Sequence, residues 1–108
     1  MDRRTGRLYR AKAEMIQAAG HPIRLAVLEF LRDGEQCVCD IAEHVGAERS
    51  NVSRHLAVML RAGLLEQRKE GLRMMYSLRC RCILDFLACA EEVLKEHLAE
   101  TRSLLSRM

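Results

Sequence analysis

The spacing of apolar residues constrains the fold of this chain more than any other feature. Apolar side chains recur every three to four residues in several short runs, which is the period of an amphipathic helix. The run from Ile23 to Leu31 is followed by Gly34, and the run from Val52 to Leu60 by Gly63. Glycine just beyond such a run is a common helix C-cap. The pattern therefore predicts helices over residues 7–19, from Pro22 to about Gly34, about 39–45, 50–62 and about 82–107.

The third and fourth predicted helices form a helix-turn-helix. Residues 46–49 separate them as a short turn containing Gly46, and Ser50 is a good N-cap for the fourth helix. Further on, two short extended runs, 65–69 and 73–78, surround a Glu70-Gly71 turn and predict a β-hairpin. The expected fold class is mainly α with a small β-hairpin, a winged helix-turn-helix, with the helix-turn-helix over about 39–63 and the wing over about 65–79.

Positive charge is concentrated in the centre of the chain. Residues 49–82 carry a net charge of +6, whereas 1–48 carry −1 and 83–108 carry −2. A localised basic patch is typical of a surface that binds nucleic acid, although an ordinary solvated face explains charge alone equally well. The order of the elements favours DNA, because the basic segment coincides with the helix-turn-helix and the hairpin.

The candidate DNA-binding residues lie on the fourth helix and at the hairpin tip. Arg54 and Asn51 can form the paired hydrogen bonds that distinguish guanine and adenine. The hairpin cations are expected to contact phosphates. His55 has the alternative of a capping or core histidine. The predicted set is Arg49, Ser50, Asn51, Ser53, Arg54 and His55, with Arg68, Lys69 and Arg73 on the wing.

The last helix carries a heptad-like apolar stripe from Ile83 to Met108. So long a stripe exceeds what a small core needs, which favours packing on a second subunit. A helix folded back on its own core explains only part of it. We expect residues 82–107 to pack on a second subunit.

Composition excludes several classes of protein. The length of 108 residues fits one domain, 1–108, and no apolar run approaches a membrane span. The basic residues at the start of the chain are not followed by the apolar segment of a secretory signal peptide, so we expect a cytoplasmic protein. Because the cytosol is reducing, we expect that the cysteines do not form structural disulfides. No Ser/His/Asp or paired-carboxylate arrangement stands out, so we expect no enzyme. The contrasting hypothesis is a protein that does not bind DNA, either a small thiol enzyme or a protein-binding winged helix.

Cys37-Val38-Cys39 is the most informative chemical feature. Thiolates prefer soft ions such as arsenic(III), antimony(III), cadmium or lead. Residues two apart on a regular helix point about 200° apart, so both sulfurs hold one ion only where the backbone is extended or frayed. For a generic Cys-x-Cys pair, small buried apolar residues are the more frequent explanation.

Cys80, Cys82 and Cys89 form a second group, either a second site or the source of a third ligand. If Cys80 and Cys82 end a strand, their side chains share a face and can chelate an ion. Cys89 lies seven residues after Cys82, about 10 Å along a helix, and a core position suits it better.

Several motifs together resemble the ArsR/SmtB family of metal-sensing repressors. They are His21-Pro22-Ile23-Arg24-Leu25, Glu35-Gln36-Cys37-Val38-Cys39-Asp40-Ile41, Asn51-Val52-Ser53-Arg54-His55-Leu56, Ala62-Gly63-Leu64-Leu65, Glu70-Gly71 and Tyr76-Ser77-Leu78. The resemblance spans roughly residues 8–100 and implies a dimer, built from the first and last helices, on an inverted-repeat DNA operator. It also implies that Cys37 and Cys39 bind the inducer.

The chain departs from the family's best-defined metal sites. Residues 1–36 lack the cysteines of the cadmium/lead type, and Ala42 stands where the arsenite type often has a further cysteine. His44 is a weak local alternative as third ligand. For the zinc type, His97 and Glu100 match half of the motif, but Leu84 and Phe86 cannot ligate.

The sequence thus predicts a repressor that leaves double-stranded operator DNA when arsenite or antimonite binds Cys37 and Cys39. Two alternatives remain: a cadmium/lead-type sensor, and a repressor that responds to thiol oxidation or persulfide formation.

Overall fold

The computed structural model describes residues 1–107, which form five α-helices and three short strands. A single 3-10 turn, Leu31–Asp33, extends the second helix. The elements in chain order are α1 (Arg3–Ala19), α2 (Pro22–Phe30), β1 (Gln36–Cys37), α3 (Val38–Val45), α4 (Arg49–Ala62), β2 (Leu65–Glu70), β3 (Arg73–Leu78) and α5 (Ile83–Ser106). The predicted winged helix-turn-helix fold is confirmed.

Two predicted helix starts were wrong. Helix α1 begins at Arg3, because the Asp2 carboxylate caps it by accepting a 2.7 Å hydrogen bond from the Thr5 amide. Helix α4 begins at Arg49 with Glu48, not Ser50, as N-cap. The Val52 amide donates to the Glu48 carbonyl at 3.0 Å, so the helical hydrogen bonds already start there.

The wing belongs to a three-stranded antiparallel sheet with the order β1-β3-β2. The predicted hairpin is present, but its turn is Gly71-Leu72, because Glu70 still pairs with Arg73. Gly71 has a φ of +62°, which favours glycine. Strand β1 was not predicted, since two residues carry no periodicity, and it places Cys37 opposite Met75 of β3.

The core lies between α2, α3 and α4, the end of α1, the start of β2 and the second half of β3. Its largest fully buried side chains include Leu28, Ile41, Leu56, Met59 and Leu64. Only the first turns of α5 join this core, through Ile83 and the partly buried Leu84 and Leu87. The core therefore holds α3 and α4 together and leaves most of α5 outside.

Apolar side chains on α1 and α5 remain uncovered. Each of them is between 55% and 65% exposed: Leu8, Tyr9, Ile16, Phe86, Val93, Leu94, Leu98, Leu104 and Leu105. Helix α5 has 24 residues and is about 36 Å long. Met108, the last position of the predicted stripe, lies outside the described residues. No helix within residues 1–107 is long and apolar enough to cross a membrane.

Candidate nucleic-acid interface and thiol sites

The first turns of α4 present polar side chains to solvent. Gly46, in a left-handed conformation, ends α3, and Glu48 caps α4 two residues later. Four of the predicted DNA-binding residues are exposed at this end of α4: Arg49, Ser50, Ser53 and Arg54. Asn51 is half-buried, and its side-chain oxygen accepts a 3.3 Å hydrogen bond from Arg54. The arrangement leaves one open, basic helix face beside the turn.

The structure places His55 against α2 rather than on this open face. The Arg24 Nε–H donates to His55 Nδ1 at 3.0 Å, and the His21 ring lies 4.4 Å from the His55 ring. Burial, together with the electrostatic influence of the neighbouring His21, Arg24 and Arg54, lowers the pKa of His55. A neutral His55 therefore joins α4 to the start of α2.

The wing carries cations of two kinds. Lys69 and Arg73 are exposed and form no ion pair within residues 1–107. Arg68, in contrast, donates from Nε to Glu35 Oε2 at 2.8 Å and from a terminal nitrogen to Glu70 at 2.8 Å. The hydrogen bond from Arg68 lowers the pKa of Glu35, and Glu35 in turn raises the pKa of Arg68. Arg68 is thus already neutralised by two carboxylates.

Cys37 and Cys39 bring their sulfurs together at the start of α3. Cys37 is the N-cap, with an extended backbone (φ −78°, ψ 159°), and its sulfur accepts a 3.4 Å hydrogen bond from the Asp40 amide. This extended residue lets the two sulfurs converge, as the spacing required. The structure pairs them as a disulfide with a Cα–Cα distance of 5.4 Å, whereas the sequence predicted no structural disulfide. The physical reason for the pairing is the extended backbone at Cys37, which turns the two side chains toward each other and brings the sulfurs into contact.

Asp40 completes a set of three donor groups at this position. Its carboxylate and the two sulfurs lie within 4.8 Å of one another, and they are the one such group of three within residues 1–107. Two thiolates with one carboxylate suit a soft or borderline ion once the pair is reduced. Cys80, Cys82 and Cys89 of the same chain do not join this group. His44 does not join it either, since its ring stacks on Phe30 at 4.1 Å.

The second cysteine group separates into a pair and a single residue. Cys80 and Cys82 follow β3 instead of ending it, and their sulfurs lie 3.4 Å apart. The Cys82 sulfur and burial raise the pKa of Cys80. Cys89 is exposed on α5, where a core position was preferred. His97 and Glu100 are exposed farther along α5.

Sequence reasoning missed three residues around these sites. Asp40 was named only as part of a motif and not as a ligand. Glu35 lies 33 residues from its partner Arg68, and His21 lies far from His55 in the chain, so no local pattern pairs them. All three residues stand in motifs that resemble the family, but the motifs alone did not indicate these contacts.

The sequence and the fold match known regulators. Residues 21–67 match the model of a family described as "Bacterial regulatory protein, arsR family". The chain is 36% identical to Rv0081 of Mycobacterium tuberculosis, an HTH-type transcriptional regulator, over 91% of this chain and 87% of the relative. The crystal structure of Rv0081 superposes with a TM-score of 0.75 at 37% identity and covers 87% of this chain and 95% of that one.

A second solved structure shares the fold over nearly all of both chains. It is the homodimeric winged helix-turn-helix DNA-binding domain of Mb0332 from Mycobacterium bovis, with a TM-score of 0.79, 29% identity and 93% coverage of each chain. The arsenical resistance operon repressor of Staphylococcus xylosus is 31% identical over 65% of this chain and 67% of its own length. These relatives are DNA-binding regulators and not enzymes. The chain therefore belongs to the ArsR family of bacterial transcriptional regulators.

Proposed function

We propose that the chain is a single-domain cytoplasmic repressor that binds operator DNA as a homodimer and releases it when arsenite or antimonite binds Cys37 and Cys39. The observation that carries this proposal is the meeting of the two sulfurs and the Asp40 carboxylate at the N-terminus of α3. Helix α3 is the first helix of the DNA-reading unit, so inducer and operator act on one element.

The DNA contacts follow from the exposed face of α4 and the wing. Arg54 has the fork of donors that reads guanine, and Asn51 has the amide that reads adenine. Arg49, Ser50 and Ser53 lie beside them at the end of the helix that enters the major groove. Arg68, Lys69 and Arg73 are proposed phosphate contacts, with Arg68 restrained by Glu35.

The uncovered apolar faces of α1 and α5 support a homodimer. Nine large apolar side chains on these two helices are at least 55% exposed, and extended exposed apolar surface of this kind marks an interaction site. The similar Mb0332 domain is described as homodimeric. A dimer through these helices presents two copies of α4 to half-sites about 34 Å apart.

Cys37 connects the thiol site to α3 and to the wing. Its backbone caps α3, and the same residue pairs with Met75 of β3 in the wing sheet. The adjacent Glu35 holds Arg68 of the wing. Any displacement of Cys37 is therefore transmitted to α3 and to the wing together. A change in the angle between them weakens the fit to DNA.

The donor set favours a trivalent metalloid over cadmium or lead. Two thiolates and one carboxylate converge, and no third sulfur of the chain is near them within residues 1–107. The cadmium/lead type needs additional thiolates, and residues 1–36 contain no cysteine. A low-coordinate ion requires the fewest thiolates and fits this set best.

Titration of the repressor–operator complex tests the proposal. Fluorescence anisotropy of labelled operator is followed while arsenite, antimonite, cadmium or lead is added to the reduced protein. We expect arsenite and antimonite to release wild type but not Cys37→Ser or Cys39→Ser, with Cys89→Ser behaving as wild type. Release of both site variants at wild-type arsenite concentrations would show that the inducer binds elsewhere.

The contact between the two sulfurs favours a second candidate signal, thiol oxidation. Two thiols lose two protons and two electrons to an oxidant such as hydrogen peroxide, which is reduced to water, and an S–S bond forms. Metal-free protein treated with peroxide distinguishes the two signals. DNA release accompanied by a mass loss of two hydrogens in the peptide containing Cys37 and Cys39 supports oxidation as the signal.

A further inference from the structure

We propose that Cys80 and Cys82 form a second dithiol site, separate from Cys37 and Cys39, that binds a thiophilic centre through two thiolates at the joint between the wing and α5. The sulfurs of Cys80 and Cys82 lie 3.4 Å apart. An ion with bonds to sulfur of about 2.3 Å in tetrahedral geometry spans sulfurs roughly 3.8 Å apart. The pair therefore needs to open by only about 0.4 Å, a small side-chain rotation.

The backbone fixes this arrangement on both sides of the pair. The Cys80 amide donates to the Leu64 carbonyl at 3.3 Å, and the Cys80 carbonyl accepts from the Ile83 amide at 3.3 Å. Between the two cysteines, the Arg81 side chain is turned away and donates to the Arg32 carbonyl at 2.9 Å. The tight turn thus leaves the two thiols side by side, preorganised for a chelating ligand.

The pair is accessible and has two donors only. Cys82 is exposed, Cys80 is partly buried, and Cys82 borders a surface cavity of about 450 Å³ between Arg32, Arg81 and the first turns of α5. No third His, Cys or acidic ligand group lies within 4.8 Å of both sulfurs in the described part of the chain. The matching ligand is a soft ion or a trivalent arsenical with two exchangeable positions.

This site lies where the DNA-reading part of the chain meets α5. Cys80 follows β3, and Cys82 is the N-cap of α5, whose first residue, Ile83, belongs to the core. A ligand across Cys80 and Cys82 closes a short ring over this joint. The site thus differs in position from the pair at α3 and acts on a different element.

The probe for this site is phenylarsine oxide, a trivalent arsenical with one organic group. Two S–H bonds break and two As–S bonds form, the arsenic-bound oxygen leaves as one water molecule, and arsenic remains trivalent. The starting protein is the variant Cys37→Ser/Cys39→Ser/Cys89→Ser, in which only Cys80 and Cys82 remain. Cys89 is replaced because two Cys89 thiols of a dimer offer another pair of sulfurs.

Intact-protein mass spectrometry and thiol counting measure the outcome. We expect one arsenical per chain at equimolar probe and the loss of both free thiols. Adding Cys82→Ser, which alters an exposed side chain, removes the adduct at the same probe concentration, and circular dichroism checks that the helices persist. Absence of the adduct in the starting variant, or its persistence after Cys82→Ser, overturns the proposal. Because Cys37 and Cys39 are absent throughout, the result is independent of the proposed inducer site.

Discussion

Replacing Glu35 by glutamine should strengthen DNA binding and make it more sensitive to salt. Glu35 holds Arg68 through Nε and a terminal nitrogen, and Glu70 holds one terminal nitrogen as well. Glutamine keeps the size of the side chain but removes the negative charge. Arg68 then keeps Glu70 as its one ionised partner, which frees donors of the guanidinium for a phosphate.

The magnitude follows from counterion release. Each phosphate neutralised on B-DNA adds about 0.9 to the slope of log affinity against log salt. One freed Arg68 in each subunit of a dimer adds two contacts, or about 1.8 to the slope. Between 50 mM and 200 mM salt this corresponds to an additional loss of affinity of about 12-fold.

The assay is operator binding by fluorescence anisotropy over that range of salt. Glu66→Gln is the matched control, because Glu66 is exposed on the same strand as Arg68, makes no ion pair within residues 1–107, and changes the net charge equally. We expect the larger slope for Glu35→Gln alone. Equal slopes for the two variants would refute the idea that Glu35 restrains Arg68.

The other predictions concern stability. Leu56→Ala removes a fully buried side chain from α4 and should lower the free energy of unfolding, measured by urea denaturation, by about 2–5 kcal/mol. Leu72 is fully exposed, so Leu72→Ala should change this free energy little. Equal effects of the two substitutions would contradict the described core. Because folding lowers the pKa of His55 below its ordinary 6.5, the unfolded chain binds more protons, and stability should fall as the pH drops through 6.5. His55→Gln should flatten this dependence of stability on pH, whereas His97→Gln, at an exposed position, should not. An unchanged profile for His55→Gln would show that the environment of His55 does not couple protonation to folding.

Local chemistry explains why most of the fold was predictable. Helical spacing and the glycines after α3 and α4 identify those helices, because Gly46 and Gly63 both adopt positive φ values. Strand β1 has two residues and exists only because β3 lies beside it, which no local pattern reveals. The N-cap of α4 was misplaced for a related reason. Serine has the stronger intrinsic preference for the N-cap position, but the hydrogen bond from the Val52 amide to the Glu48 carbonyl makes Glu48 the N-cap.

In the candidate sites, too, some features follow from local geometry and others depend on tertiary contacts. The angle between residues two apart on a helix shows that Cys37 and Cys39 converge only where the backbone is extended or frayed, and Cys37 has an extended backbone. The role of Glu35 depends on a contact across 33 residues, and the placement of His55 depends on the packing of α4 against α2. Such contacts arise from tertiary structure, and a single sequence does not encode them in any recognisable spacing.

Arsenite affinity measured with and without operator DNA tests the central claim most directly. If the thiols at the start of α3 and the DNA surface are coupled, operator DNA must weaken arsenite binding by the same factor by which arsenite weakens operator binding. Typical couplings of this kind are about 5-fold to 150-fold. We expect two matching factors in wild-type protein. Equal arsenite affinity for free and operator-bound protein would contradict the account.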